Sequence, residues 1–367
     1  MGTLMPPILT LSNVTKRFDS SVALDNLSAE IPDDQYISLL GPSGSGKTTL
    51  LRVIAGFDRP DSGRIVFRGR NLAEIPPFRR NIGFVFQNFG LFPHLTVQQN
   101  VAFGLQEREH DPMPRGAALD RRVAEMLDLV GLTDFGARMV HEISGGQRQR
   151  VALARTLVTE PEMVLLDEPL GALDANLRER MRDELQAIRE RIGVTFLHVT
   201  GSETEALAIG QQVLVLCQGA IRQVGTPAEV FAEPNSPTVA RFMNCYNVLP
   251  GRMEGHRFDT VTGRHAIDRR CFSTDPAAYA VRHDQIIVRA AEVAPTGDEE
   301  SVTGRFVASE YLGSAIHSMF ALEDGTVFEV EAHLSHHAPP SYEDGRSYRL
   351  CWLRESAIAF GQSALRP

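Results

Sequence analysis

The sequence predicts an α/β core built on a parallel sheet, with a helical subdomain inserted into it and an all-β domain after it. Three observations predict this. Short apolar runs, Ile37–Leu40 and Met163–Leu166, have the length and continuity of strands buried on both faces. Between them, residues about 91–160 read as helical, with Val123, Met126, Leu127 and Val130 at i, i+3, i+4 and i+7 on one apolar face. Past residue 235 the pattern turns to short strand-like segments at 280–290, 302–313 and 315–332, the last folded back at Asp324-Gly325 as a hairpin turn. Gly, Pro and Asn follow one another closely in "GAIRQVGTPAEVFAEPNSPTVARF", which places the boundary and gives domains 1–235 and 236–367.

A chain of 367 residues is long enough for two or three domains. Its 43% hydrophobic and 23% charged residues describe a folded globular protein. No stretch reaches the roughly 18 continuous apolar residues of a membrane span. The opening "MGTLMPPILTLSNV" has no basic segment followed by an apolar one, so the expected place is the cytoplasm. Cys217, Cys245, Cys271 and Cys351 lack the spacing of a metal or redox motif and are expected to be buried free thiols. A net charge of −9 argues against a nucleic-acid partner.

The first run leads into Gly41-Pro42-Ser43-Gly44-Ser45-Gly46-Lys47-Thr48-Thr49, and Thr48 to Ala55 reads as the helix that follows. This is the G-x-x-x-x-G-K-[ST] phosphate loop in its strand–loop–helix setting. The glycines let backbone N–H groups turn toward phosphate oxygens, and the helix N-terminus favours an anion. Lys47 would reach the β and γ phosphates and Thr48 would offer its hydroxyl to Mg²⁺. The second run ends in Asp167-Glu168, two carboxylates at the C-terminal edge of the sheet, where ligands of α/β proteins bind. Asp167 is the candidate to hold Mg²⁺, and Glu168 the candidate base for an attacking water.

Ser144-Gly145-Gly146-Gln147 opens a Pro-free segment of good helix formers. It is a second place where a hydroxyl, glycine backbone and a helix N-terminus could meet an anion, although such a tetrapeptide can equally be a plain helix cap. The order of these motifs, with "VFQ" and its Gln87 between the phosphate loop and Ser144, and "LLDEP" last, resembles the ATP-binding subunit of an ABC transporter. The resemblance covers nearly the whole chain. It implies a P-loop (RecA-like) core, a helical subdomain carrying the signature, and a C-terminal TOBE-like domain built like an OB-fold. It implies ATP and Mg²⁺ as cofactors, with Gln87 sensing the ion and the water. It further implies a head-to-tail sandwich in which the signature of one copy meets the nucleotide on the phosphate loop of a second. Permease subunits in the membrane and a periplasmic or extracellular binding protein would complete the system, with this chain on the inner face of the membrane. By the same likeness Phe18 is the aromatic that stacks on adenine, a lone Phe there being otherwise core. Phe89 and Phe92, in "NFGLFPHLTVQQNVAFGL", are read either as part of the surface that receives the permease or as subdomain core. The likeness is to polyamine, ferric-iron and aminoethylphosphonate importers, and spermidine or putrescine is the expected cargo.

Three places depart from the family pattern, two of them slightly. Ile143 replaces the usual Leu before the signature, a volume-conserving change. Gly171-Ala172-Leu173-Asp174 has Gly where Ser is common. A larger departure follows the strand "VTFLHVT": the family's Val-Thr-His-Asp is here Val199-Thr200-Gly201-Ser202. That histidine contacts the γ-phosphate in the family, and Gly201 has no side chain to do so. His198 lies about 10 Å upstream along an extended strand and on its other face, so it is expected to be a packed strand residue. ATP binding is expected to survive and turnover to be slow, with an ATP-gated clamp as the competing reading. A soluble ABC ATPase acting on ribosomes or DNA would carry two cassettes or a long coiled-coil insertion, and this chain has neither.

Overall fold

The structure is a computed structural model that describes residues 6–109, 111–171, 173–335 and 341–362; Ala172 of the variant loop lies outside the described residues. It divides into two compact units, Met1–Ala232 and Glu233–Pro367, slightly ahead of the boundary expected from sequence.

In the first unit, Tyr36–Leu40, Met163–Asp167 and Thr195–Thr200 are buried at every residue, as strands covered on both faces must be. They belong to a six-stranded sheet in the order Ala220–Gly225, Gln212–Cys217, Tyr36–Leu40, Thr195–Thr200, Met163–Asp167, Ile82–Val85. All neighbours run parallel except the edge strand Ala220–Gly225. Tyr36–Leu40 therefore ends near the middle of the sheet, where a topological switch places ligands. The helix after it, Lys47–Ala55, buries Leu50, Leu51, Val53 and Ile54 between this sheet and a second one. That second sheet is antiparallel, in the order Ser21–Ile31, Leu9–Phe18, Ser62–Phe67, Arg70–Asn71.

The segment between the strands Ile82–Val85 and Met163–Asp167 supplies three helices, Val97–Gln106, Ala117–Leu129 and Gly145–Leu157. Ala117–Leu129 buries Val123, Met126 and Leu127, and Val130 just beyond its end is buried as well, so the apolar stripe faces the subdomain core. Thr96 caps Val97–Gln106 through a reciprocal box with Gln99.

Among its described residues the second unit is all-β apart from the short helix Pro237–Phe242 and single 3₁₀ turns. One sheet runs in the order Gly263–Ala266, Arg257–Thr260, Tyr246–Glu254, Ala278–Arg282, Ala357–Gln362, Arg269–Ser273. The other runs Ile287–Ala290, Ser347–Leu353, Glu299–Tyr311, Ala315–Ala321, Val327–His333. Ala315–Ala321 and Val327–His333 form the hairpin expected at Asp324-Gly325, with Gly325 at φ 84°. Phe258, Tyr279, Phe320, Phe328 and Trp352 fill the core, where Trp352 Nε1 donates to Tyr279 Oη at 3.2 Å.

One expectation needs correcting here. Cys217 and Cys351 are buried, but Cys245 and Cys271 are only half-buried. Cys271 sits in the edge strand Arg269–Ser273, which has a neighbour on one side only. Among the described residues no helix is long and apolar enough to cross a membrane.

Candidate functional site

The phosphate loop takes its shape from what its glycines permit. A Cβ on Gly41 would lie 2.1 Å from the Leu216 carbonyl oxygen, and one on Gly46 would lie 2.3 Å from that of Ala23. Gly46 also holds φ 104°, in the left-handed region that favours glycine. It caps the helix Lys47–Ala55 with no side chain over the first turn, so the N–H groups there stay open to an anion. Pro42, Ser43 and Gly44 form the exposed rim, and Thr49 sits half-buried in the first helical turn. The buried Ser45 hydroxyl finds no hydrogen-bond partner within the protein. Lys47 Nζ donates to the carbonyls of Gly41 at 2.7 Å and Pro42 at 3.0 Å, which holds the ammonium across the loop. Burial pulls the Lys47 pKa below its ordinary value, and Glu168 and Asp167 pull it back upward.

Asp167 and Glu168 come to this loop from the end of the strand Met163–Asp167. Thr48 Oγ1 donates to Asp167 Oδ1 at 3.0 Å, so two of the three candidate Mg²⁺ ligands touch. Burial raises the Asp167 pKa, with the Thr48 hydrogen bond and Lys47 opposing it. Glu168 adopts left-handed backbone, φ 46°, a conformation that is costly for a residue with a Cβ and that tends to mark functional positions. Its N–H donates to Val199 O at 3.0 Å and its Oε2 accepts from Gln87 Nε2 at 3.0 Å. Gln87 reaches it from just past the strand Ile82–Val85. Loop, both carboxylates and Gln87 thus form one continuous cluster.

Ser144 lies outside that cluster. Its hydroxyl accepts from Gln147 N at 3.3 Å while Gln147 Oε1 accepts from Ser144 N at 2.8 Å, a reciprocal cap on the helix Gly145–Leu157. The cap uses a lone pair of the hydroxyl and leaves its proton free to donate. Among the described residues no hydrogen bond or ion pair joins Ser144–Gln147 to the phosphate loop, Asp167 or Glu168.

Phe18 is 44% exposed at the end of the strand Leu9–Phe18, its ring 5.0 Å from Lys16 Nζ, so it is not core. The same hairpin continues to Ala23, whose carbonyl approaches Gly46. Phe89 is subdomain core, and Phe92 is half-buried against Phe103, with ring centroids 4.4 Å apart.

Gly201 is exposed, and a Cβ there would meet no atom within 4 Å. His198 is fully buried on the strand Thr195–Thr200. Its Nδ1 is hydrogen-bonded to Tyr36 Oη at 2.8 Å, and its Nε2 lies 2.7 Å from the buried Glu205 Oε1. The ring therefore points into the protein. Sequence reasoning missed this trio, because Glu205 reads as an ordinary first-turn acid of the helix Glu203–Ile209 and only the fold brings it to His198.

Comparison with known proteins gives the site its context. Residues 24–171 match the ABC transporter family and residues 279–360 match the TOBE domain. The spermidine/putrescine import ATP-binding protein PotA of Marinobacter nauticus is 40% identical over 352 residues, 94% of this chain and 93% of that protein. The chain belongs to the ATP-binding subunits of ABC importers. The putrescine transport ATP-binding protein PotG of Escherichia coli is 37% identical, covering 96% of this chain and 95% of that protein. The sulfate/thiosulfate import ATP-binding protein CysA of Thermosynechococcus vestitus is 43% identical, covering 89% and 90%. Among solved structures, the ATP-binding cassette MJ0796, described as a dimer in a post-hydrolysis state bound to ADP and Pi, is 32% identical with a TM-score of 0.54. It covers 60% of this chain and 98% of its own. The first unit is accordingly a P-loop ATPase that binds ATP, and the second contains a TOBE domain at residues 279–360 in an all-β, OB-like build.

Proposed function

We propose that this importer ATPase binds Mg·ATP on the phosphate loop Gly41–Thr49 and hydrolyses it slowly to drive polyamine uptake. The observation that carries the proposal is the joined pair of contacts Thr48–Asp167 and Gln87–Glu168, each 3.0 Å, beside the phosphate loop. Thr48, Asp167 and Gln87 would hold Mg²⁺, which when bound neutralises charge on the β and γ phosphate oxygens. Lys47 binds the same oxygens, Phe18 offers a face to adenine, and Glu168 takes the proton of the attacking water. The Ser144–Gln147 cap, standing apart from its own chain's cluster, would complete the site of a second copy in a head-to-tail pair. Its free hydroxyl proton and helix N-terminus suit a γ-phosphate.

A groove of about 530 Å³ between the helices Val97–Gln106 and Ala117–Leu129, lined among others by Gln98, Ala102, Leu119 and Val123, suits an element of the membrane permease. With a binding protein outside, the assembly would sit on the inner face of the membrane. Relatives named for spermidine or putrescine recur alongside those named for sulfate, and ferric iron or aminoethylphosphonate are the other cargoes to set against polyamine. Proteoliposomes carrying the cognate permease and binding protein decide the matter. ATPase activity is expected to rise with putrescine or spermidine, and a rise with sulfate, iron or aminoethylphosphonate instead refutes the cargo.

Gly201 favours a second reading, a clamp that closes on ATP and turns it over too slowly to cycle a transporter. Single-turnover hydrolysis by the purified protein separates the two.

A further inference from the structure

We propose that His283, His317 and Glu329 form a binding site for one divalent transition-metal ion in the C-terminal unit. Three elements bring them together: the 3₁₀ turn His283–Gln285, the strand Ala315–Ala321 and the strand Val327–His333. His317 faces Glu331 across the hairpin and so shares a sheet face with Glu329, two residues back on that strand.

The spacing is that of a coordination sphere. His317 Nε2 lies 3.4 Å from His283 Nδ1 and 3.4 Å from Glu329 Oε2, and His283 Nδ1 lies 3.8 Å from that oxygen. A tetrahedron with metal–ligand bonds of about 2.0–2.2 Å has edges of about 3.3–3.6 Å. Two edges match and the third is a little long, within the reach of a carboxylate rotamer. Two imidazoles and a carboxylate suit Zn²⁺, Co²⁺ or Ni²⁺ rather than Mg²⁺ or Ca²⁺, which take oxygen ligands.

The ligands are held from behind. His283 is buried, with its ring hydrogen-bonded to the Tyr246 backbone and its own N–H donating to Cys245 O at 2.9 Å. Asn247, also buried, clamps the backbone of Glu329 on both sides, accepting from its N–H at 2.8 Å and donating to its carbonyl at 2.7 Å. Fixed partners of this kind orient metal ligands and commonly contribute about 10- to 100-fold in affinity. A cavity of about 120 Å³ beside His283 and Glu329, lined also by Tyr246, Asn247 and Thr326, gives an ion a way in and leaves room for water as a fourth ligand.

An ion here would tie the turn His283–Gln285 to the hairpin. Since it would bind the folded unit and not the unfolded chain, it would raise the melting temperature with concentration. The test uses the full chain, stripped by a chelator and free of nucleotide and Mg²⁺, titrated with Zn²⁺ against a chromophoric competitor. One ion per chain is expected, with a Co²⁺ form showing the intense visible bands of four-coordination. His317→Ala and Glu329→Gln each weaken binding at least about 10-fold and abolish the Zn²⁺-dependent rise in melting temperature, with far-UV circular dichroism unchanged. Absence of stoichiometric binding overturns the proposal and leaves a hydrogen-bonded histidine pair. Binding that survives both substitutions overturns it too, by placing the ion elsewhere.

Discussion

Gly201→His is expected to raise the rate of ATP hydrolysis with little change in ATP affinity. The position accepts the side chain: a Cβ meets nothing within 4 Å, and the residue precedes Ser202, the cap of the helix Glu203–Ile209, so no helical contact is disturbed. A single preorganised hydrogen-bonding group near developing charge is worth about 10²–10³ in kcat, or about 2.7–4 kcal/mol. The lower figure applies, because Gln87 already holds the Glu168 carboxylate at 3.0 Å and the restored imidazole adds to a base that is partly positioned. The assay is steady-state phosphate release at saturating Mg·ATP, beside calorimetric binding of a non-hydrolysable analogue. Gly201→Ala, which fills space without an imidazole, should stay near the parent. The reasoning fails if the histidine variant binds the analogue normally yet gains less than about 3-fold in kcat, or if Gly201→Ala gains as much.

Three further substitutions probe separate parts of the molecule. Glu168→Gln should lower kcat by about 10²–10⁴ with ATP analogues still bound, read by the same phosphate assay. His198→Ala leaves Glu205 and Tyr36 buried without their shared partner and should destabilise the nucleotide-free protein by about 3 kcal/mol in urea unfolding. In the second unit, Arg289 and Thr296 hold the Glu299 pKa down to about 2. Its folded value lies below the unfolded one, so the stability it contributes is present above about pH 4.3 and is lost as pH falls through 2. Glu299→Gln should therefore lower the melting temperature at pH 7 and match the parent near pH 2, measured by circular dichroism.

What the sequence revealed and what it concealed follow from how each strand is covered. Tyr36–Leu40 and Met163–Asp167 are buried on both faces, and a continuous apolar run states that condition directly. Leu9–Phe18 and Ser21–Ile31 were not legible, because their pairing passes through several register shifts and no strict alternation survives. Tyr246–Glu254 mixes buried and exposed positions, Arg269–Ser273 has none fully buried, and both carry arginines, so they were likewise missed. In the site, the motifs pointed to Thr48, Asp167 and Glu168 and the family resemblance to Gln87, but Gln87 meets Glu168 from the neighbouring parallel strand and Thr48 meets Asp167 from across the intervening strand Thr195–Thr200, contacts between segments far apart in sequence. The orientation of His198 depends on Tyr36 and Glu205, which no local pattern links to it.

The partition of the candidate site has an energetic consequence. Phosphate loop, Asp167, Glu168 and Gln87 are preassembled within one chain by contacts of 3.0 Å, so ATP can dock on a single copy without help. Under the proposed head-to-tail pairing, the Ser144 cap adds contacts to the γ-phosphate only when two copies close. A ligand shifts an equilibrium only by its differential affinity for the two states. The contacts made by Ser144, Gly145, Gly146 and Gln147 are then the part of the binding energy that drives closure, and those made by Lys47 are not. To move closure from 1:99 to 99:1 requires about 5.5 kcal/mol, and two sites per pair divide that into about 2.7 kcal/mol each, within reach of one charge-assisted hydrogen bond and a helix N-terminus. In the Glu168→Gln background, which keeps ATP intact, Ser144→Ala should therefore leave analogue binding to the dilute monomer unchanged while weakening ATP-dependent dimerisation in light scattering. Equal loss of both would mean that the signature acts within its own chain.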